Sequence, residues 1–118
     1  MQWFEKYYVD VDSKDIDRIS PWFTDDLVLR FGNSPEIHGL KNSIDVLSGF
    51  MDTFSSIRHD LGKVIEVGDE VFLAATVTYK MLDGRTVSIP AGTYKKRRGQ
   101  KICEMRVFAD FTPMYAAS

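Results

Sequence analysis

The feature that most constrains the fold is the stretch of residues 57–111, in which long β-type segments alternate with short glycine-containing turns. The dipeptides Gly-Asp at 68–69 and Asp-Gly at 83–84 are typical of two-residue hairpin turns, and residues 98–100 form a slightly longer turn around a glycine. The stretch predicts four strands of about eleven to thirteen residues each, longer than the usual range of roughly 3 to 10. A sheet of such strands must coil or bulge strongly, and a coiled sheet covered by helices encloses a pocket.

Three helices are predicted before this sheet. Apolar residues at a spacing of four form a stripe in residues 2–12, which indicates an amphipathic helix whose apolar face ends in the carboxylate of Asp12. Capping side chains in residues 12–15 predict a second, short helix, and residues 27–31 indicate a short strand. From residue 40 to residue 54, apolar side chains recur with spacing four, three, four, three. This pattern predicts a third helix of about four turns that lies across the sheet.

The alternation of side chains along the predicted strands assigns them to faces. His59 falls on the apolar face of the first long strand, so we expect an imidazole among apolar side chains. The other residues of that face are Leu61, Ile65 and Val67. The basic run at residues 95–98 is predicted to lie at a hairpin tip, as a solvated edge that discourages aggregation.

Composition and charge exclude several classes of partner. The chain has 118 residues, a net charge of −2 and a pI of about 5.6, so it lacks the basic surface that nucleic-acid binding requires. No apolar run approaches the roughly 18 residues of a membrane span, and the N-terminus does not resemble a signal peptide. Cys103 is the single cysteine, which rules out an internal disulfide. We therefore expect a single domain over residues 1–118, in the cytoplasm, with neither nucleic acid nor membrane as a partner.

The order of two helices, a short strand, a long helix and a four-stranded meander is itself informative. Its markers along the chain are Tyr7, the segment 12–17, Phe23, Gly39, Arg58 and His59, the turns at 68–69 and 83–84, and the segment 102–110. In this order they resemble the nuclear transport factor 2-like superfamily and, more narrowly, its SnoaL-like branch. The resemblance implies an α+β fold, a cone-shaped barrel of a strongly curved, mostly antiparallel sheet packed on three N-terminal helices. It also implies a hydrophobic cavity between the first helices and the sheet, and often a homodimer.

The resemblance suggests site residues one position at a time. Scytalone dehydratase and a related dehydrochlorinase place an aspartate at the end of the first helix and a histidine early in the first long strand, and Asp12 and His59 match these positions. The tyrosine with which ketosteroid isomerase polarises its substrate matches Tyr7. The base of that isomerase falls at or beside Arg30, which disfavours steroid isomerisation. The aspartate of the related epoxide hydrolases corresponds to Val107, so that chemistry lacks its acid.

Asp12 and His59 together suit general acid-base catalysis. A neutral imidazole accepts a proton, while a carboxylate on its other nitrogen fixes the tautomer and stabilises the imidazolium that forms. Tyr7 would then orient a substrate oxygen. The structural alternatives are that Asp12 only caps the second helix, that His59 is a hydrogen-bonded core histidine and that Tyr7 is ordinary core.

The predicted function is that of a cofactor-free lyase, isomerase or cyclase acting on a small hydrophobic, oxygenated molecule, polyketide-like or terpenoid-like. The residues predicted to bind the substrate are apolar or aromatic: Tyr8, Phe31, Phe54, Tyr79, Met105, Val107 and Ala109. No metal-ligand spacing and no glycine-rich phosphate loop occurs in the sequence, so neither a metal nor a nucleotide cofactor is expected. The alternative is a non-catalytic ligand-binding or dimerisation domain. A homodimer is predicted to form through the outer face of the sheet, with Ile102 and Phe108.

Overall fold

The computed structural model describes residues 1–115, in which helices cover one side of a curved β-sheet. The four helices are α1 (Trp3–Asp12), α2 (Ile16–Ile19), α3 (Leu40–Met51) and α4 (Thr112–Tyr115), with a 3-10 turn at Ser20–Trp22. The six strands are β1 (Phe23–Phe31), β2 (Ile37–His38), β3 (Phe54–Val67), β4 (Glu70–Met81), β5 (Thr86–Arg98) and β6 (Lys101–Ala109).

The strands form one sheet in the order β2-β1-β6-β5-β4-β3. Only the β1–β6 pair is parallel among the strands described, and every other neighbouring pair is antiparallel. The predicted α+β class with a mostly antiparallel curved sheet is therefore confirmed. The sheet is not closed, because β2 and β3 remain as its two edges in the described part of the chain.

The predicted meander is β3 to β6, and its turns explain its register. Gly68 and Gly84 have φ of +57° and +92°, which a glycine adopts without steric penalty. β3, β4 and β5 contain 14, 12 and 13 residues, and register shifts interrupt the β3–β4 and β5–β6 ladders. Such shifts bend a strand and increase its twist, so long strands can wrap around a core.

The core lies between the helices and the inner face of the sheet. α1 buries the stripe Phe4, Tyr7, Tyr8 and Val11, as its spacing predicts. α3 buries Leu47 and Met51, and these side chains belong to one core with strand residues such as Leu29 and Leu73, which are 0% exposed. Burial of these apolar side chains is the main stabilising contribution.

Two element boundaries differ from the predictions. β1 begins at Phe23 rather than at residue 27, and a two-residue strand at Ile37–His38, which was not predicted, pairs with it. α3 ends at Met51, and Phe54 is the first residue of β3 rather than the last of the helix. Phe54 is nevertheless 0% exposed, because it stays on the inner side of the fold after the chain turns.

The face predicted for His59 holds for only part of β3. Ile65 and Val67 are 54% and 69% exposed, so their assignment to the apolar face was wrong. The register with β4 shifts between Leu61 and Val64, which reverses the alternation and brings Val64 against the core instead. Ile102 was likewise wrongly placed on the outer face, since it is 0% exposed.

The basic run at residues 95–98 was wrongly predicted to be a uniformly solvated edge. Lys95 is 0% exposed and points under α1. The Arg97 guanidinium carbon lies 4.3 Å from the centre of the Trp3 ring. Only Lys96 and Arg98 are exposed, and Arg98 pairs with Asp26 on β1 at 3.0 Å.

Among residues 1–115, the helices are too short or too polar for any of them to cross a membrane.

Candidate active site

A cavity lies between α1, α3 and the inner face of the sheet. It holds about 620 Å³ of space that no atom occupies, including the part at its mouth. Its wall is mostly aliphatic and aromatic, and the hydroxyl and imidazole groups on it belong to Tyr7, Tyr8, His59, Tyr79 and Thr93. Largely apolar walls with a few polar groups are typical of small-molecule sites.

Asp12 and His59, which are 47 positions apart in sequence, are in direct contact. His59 Nδ1 lies 2.6 Å from Asp12 Oδ1, and the backbone N–H of His59 donates to Asp12 Oδ2 at 2.9 Å. The side chains are 12% and 24% exposed for His59 and Asp12, respectively. Because both carboxylate oxygens are engaged, the imidazole and the carboxylate have a fixed relative orientation.

Local sequence explains why Asp12 arrives at this place. Asp12 is the last residue of α1, and the chain turns immediately afterwards at Lys14, whose φ is +60°. The Lys14 ammonium donates to the Phe54 carbonyl oxygen at 2.6 Å, which joins this turn to the start of β3. Asp15, rather than Asp12, caps α2, by accepting from the Asp17 backbone N–H at 3.0 Å. The structure therefore assigns the capping role to Asp15 and leaves Asp12 for His59.

His59 lies at the boundary between two spaces. It lines the cavity, and it also lines a surface groove between α1 and β3. Asp12 lines only the groove, so it approaches the imidazole from the side away from the cavity. When the Nδ1 proton is donated to Asp12, Nε2 is left as the acceptor. This arrangement suits proton transfer at the cavity wall.

The two adjacent tyrosines of α1 have different environments. Tyr7 is 3% exposed, its hydroxyl donates to Met105 Sδ at 3.4 Å, and burial raises its pKa well above the usual value. The Tyr8 ring lies 4.4 Å from the imidazole of His59, at an interplanar angle of 35°. Burial raises the pKa of Tyr8 as well, and a hydrogen bond with Thr93 opposes this shift.

Most residues predicted to bind substrate line the cavity. This set comprises Tyr8, Phe31, Tyr79, Met105, Val107 and Ala109. Phe54 does not line it, because its ring lies behind the wall and packs against Phe50 and Tyr79 at centroid distances of 5.2 and 5.0 Å. The catalytic and binding roles of all these residues remain predictions.

Sequence reasoning missed Thr93 and Lys95. Thr93 lines the cavity, and Lys95 donates to the Tyr8 hydroxyl from the next inward position of β5. The signal for both is the strand alternation from Ile89 through Ala91 to Lys95, which places these side chains on the inner face.

Within residues 1–115, no three His, Cys, Asp or Glu side chains are grouped so as to hold a metal ion.

Comparisons with solved structures show which fold this is. A putative SnoaL-like polyketide cyclase from Jannaschia sp. CCS1 is 18% identical, with 98% of this chain and 91% of that chain covered and a TM-score of 0.83. TerC, crystallised with polyporic acid, is 18% identical at 97% and 96% coverage and a TM-score of 0.82. An LEH-like epoxide hydrolase from M. tuberculosis is 17% identical at 96% and 84% coverage and a TM-score of 0.79. At these identities the likeness establishes the fold alone.

Sequence comparison adds the family. A search of curated proteins finds no match. The profile described as SnoaL-like domain matches residues 4–105, which include most of α1, the dyad of Asp12 and His59 and most of the sheet. The resemblance predicted from the sequence is thereby confirmed, and the chain belongs to the SnoaL-like domain family, within the nuclear transport factor 2-like fold.

Proposed function

We propose that the protein is a cofactor-free enzyme that moves protons on a small hydrophobic, oxygenated molecule, polyketide-like or terpenoid-like, as a lyase, isomerase or cyclase. The observation that carries the proposal is the 2.6 Å contact between His59 Nδ1 and Asp12 Oδ1 at the wall of an apolar cavity. The Asp12 carboxylate holds His59 in the tautomer with a free Nε2 and stabilises the imidazolium that forms. Positioned acid-base groups of this kind contribute roughly 100- to 10,000-fold to a rate.

The solved structures of this fold are compatible with such a substrate. One is described as a putative polyketide cyclase and another was crystallised with polyporic acid. The cavity wall is largely apolar with a few hydroxyl and imidazole groups, as is typical of small-molecule sites. The groups on the wall, His59 and the tyrosines, supply proton transfer and hydrogen bonds without a metal or a redox cofactor.

Proton abstraction can be tested on model ketones, so the natural substrate need not be identified first. A panel of cyclic and aryl ketones is incubated with the protein in deuterated water, and exchange of the protons next to the carbonyl is followed by NMR. We expect acceleration by the parent protein and a loss of roughly 100-fold or more in His59→Gln. The matched control is His38→Gln, because His38 is the other histidine and its side chain is 70% exposed. Equal exchange rates with His59→Gln and the parent protein would contradict the proposal.

A second candidate function is non-catalytic binding of a small ligand. It is favoured by the second hydrogen bond of Asp12, which accepts the backbone N–H of His59 at 2.9 Å and so also joins α1 to β3. Under this alternative, His59→Gln leaves ligand affinity nearly unchanged and no member of the ketone panel exchanges faster with the protein than without it.

We also propose that the protein acts as a homodimer in the cytoplasm. Support for the dimer comes from the outer face of the sheet, where Phe72 and Phe108 are 45% and 52% exposed with ring centres 6.2 Å apart. Gly92 lies beneath them, and a Cβ there would approach the Phe72 ring to 2.9 Å. The glycine therefore lets the Phe72 ring lie against the sheet and broaden the apolar patch.

A further inference from the structure

Lys95 is a buried cation whose role the dyad does not explain. Its side chain is 0% exposed, and its ammonium donates to the Tyr8 hydroxyl oxygen at 2.5 Å. Nζ lies 4.5 Å from the centre of the Tyr8 ring and 5.2 Å from that of Tyr7. Among the ion pairs of residues 1–115, none includes Lys95. Lysine is almost never fully buried without a carboxylate, because removing its charge from water is unfavourable.

The side chains in contact with Lys95 carry no charge, and the titratable groups beyond Tyr8 are His59 and Asp12. Its partners across the sheet are Val71 on β4 and Met105 on β6, and α1 presents the two tyrosines to it. Burial lowers the pKa of Lys95 to about 7. The side chain therefore changes between ammonium and amine near neutral pH, unlike an ordinary surface lysine.

Tyr8 connects Lys95 to the cavity. Lys95 itself does not line the cavity, whereas Tyr8 and Thr93 do. The Tyr8 oxygen accepts a hydrogen bond from the Lys95 ammonium and shares another with Thr93. An oxygen that accepts from an ammonium keeps its own proton for another acceptor. The ring of the same tyrosine packs on His59 at a centroid distance of 4.4 Å, so the two side chains are neighbours in the cavity wall.

We propose that Tyr8, positioned and polarised by Lys95, binds the oxygen of the substrate on which negative charge develops. This assignment rests on the proposed function and specifies its substrate class, molecules with an enolisable carbonyl or an acidic hydroxyl. In the reaction, a C–H bond next to the carbonyl breaks and its proton moves to His59 Nε2. The electron pair forms a C=C bond, and the carbonyl oxygen becomes an enolate that accepts from the Tyr8 hydroxyl. Return of the proton to another carbon or loss of a leaving group completes isomerisation or elimination.

Lys95 is a positioning residue in this scheme, because it acts through Tyr8 and does not touch the substrate. A cation at the Tyr8 oxygen favours ionisation of the hydroxyl and makes it a stronger donor. A neutral amine at the same place has no such effect. Anion binding at Tyr8 should therefore weaken as Lys95 loses its proton.

The test uses 2,4-dinitrophenol, a coloured phenol that is an anion throughout the titrated range, and measures its dissociation constant by difference absorbance. We expect binding to weaken tenfold or more in Tyr8→Phe and in Lys95→Met, and to be unchanged in Lys96→Met, whose parent side chain is the exposed neighbour on the same strand. In the parent protein, affinity should fall as the pH rises from about 6 to about 9, and Lys95→Met should show no such fall. A purely structural lysine would not produce this pH profile.

The outcomes separate this inference from the proposed function. Asp12→Asn should not weaken binding of the phenolate, because it removes a negative charge that raises the pKa of Tyr8, while it loses ketone exchange. If His59→Gln exchanges ketone protons as fast as the parent protein, the phenolate result still stands. If the phenolate test fails, the result on ketone exchange still stands. If the parent protein does not bind the phenolate, or binds it with an affinity independent of pH, the inference is wrong. Because His59 packs on Tyr8 and also exchanges a proton, the pH profile is measured in His59→Gln as well. A fall in affinity that persists there comes from Lys95, even if Lys95→Met folds poorly.

Discussion

Replacing Lys95 by methionine should change how the stability of the protein depends on pH. The side chain is 0% exposed, and burial lowers its pKa from 10.5 to about 7. Between these two values the unfolded chain binds the proton and the folded chain does not. Because the unfolded state binds more protons in this window, the free energy of unfolding rises with pH there. Methionine has a similar shape and no proton to lose, so the variant should lack this rise.

The size of the effect follows from the two pKa values. A full proton of difference corresponds to about 1.4 kcal/mol per pH unit. Because Lys95 is half protonated in the folded state near pH 7, the slope is reduced there, and the rise from about pH 7 to about pH 9 is about 2 kcal/mol. Near pH 7 the methionine variant should also be the more stable protein. The loss of the hydrogen bond to Tyr8 offsets part of that gain, by about 1 kcal/mol.

Urea unfolding followed by tryptophan fluorescence measures this difference directly. Trp3 and Trp22 lie on the helical side of the fold and report on it. The parent protein, Lys95→Met and Lys96→Met are unfolded at a series of pH values, and the variant values are subtracted from those of the parent at each pH. Subtraction removes the contribution of the other titrating groups, which all three proteins share. Lys96→Met should give a flat difference, because the Lys96 side chain is exposed.

A flat difference for Lys95→Met would refute the reasoning. It would mean that the Lys95 ammonium keeps an ordinary pKa in the folded protein, and hence that it reaches water or a carboxylate in solution. The inner position of Lys95 on β5 would then be incorrect, and its role at Tyr8 would be lost with it.

Three further predictions concern other parts of the molecule. The ¹⁵N shifts of His59 should show the tautomer with a proton on Nδ1, and Asp12→Asn should remove this preference; an unchanged tautomer would mean that the carboxylate does not determine it. The Trp22 indole, which donates to Asp10 at 2.8 Å, holds the pKa of Asp10 below its usual value. Asp10→Asn should therefore lower the free energy of unfolding by about 1 kcal/mol at neutral pH. The difference between the two proteins should disappear as the pH falls through the titration of the native Asp10 carboxyl, and urea unfolding at several acidic pH values measures it. Phe108→Asp should convert the proposed dimer to a 13.5 kDa monomer in sedimentation, and a monomeric parent protein would contradict the dimer.

Much of the fold could be predicted from the sequence, because its local signals agree with one another. Glycines in the turns at 68–69 and 83–84 specify hairpins, and the apolar stripe of α1 specifies which side of the helix is buried. Asp12 and His59 were predictable as a pair only through the family resemblance, since 47 positions separate them. Once α1 packs on β3, the end of the helix and the early part of the strand meet, and the side chains are brought into contact.

The remaining features depend on where the ladders shift register. The register shift between Leu61 and Val64 exchanges the two faces of β3, and no local residue pattern marks it clearly. Gly62 occurs there, and a Cβ at this position would approach the Ala74 carbonyl oxygen to 3.3 Å, so the signal was a glycine within a strand. For Lys95, the alternation along β5 indicates an inner position, but the charge of the run at 95–98 suggested solvent. At that position the fold buries a side chain whose charge would ordinarily keep it in solvent.

Asp12 and Lys95 lie behind the cavity wall and place opposite charges next to two neighbouring residues of that wall. Neither Asp12 nor Lys95 lines the cavity, and each contacts one residue that does. The Asp12 carboxylate lies behind His59, and the Lys95 ammonium lies behind Tyr8. Negative charge behind the imidazole favours a proton arriving there, and positive charge behind the phenol favours an anion forming there. The two rings are 4.4 Å apart, so under the proposed function a single enolisable group would meet both the imidazole and the phenol.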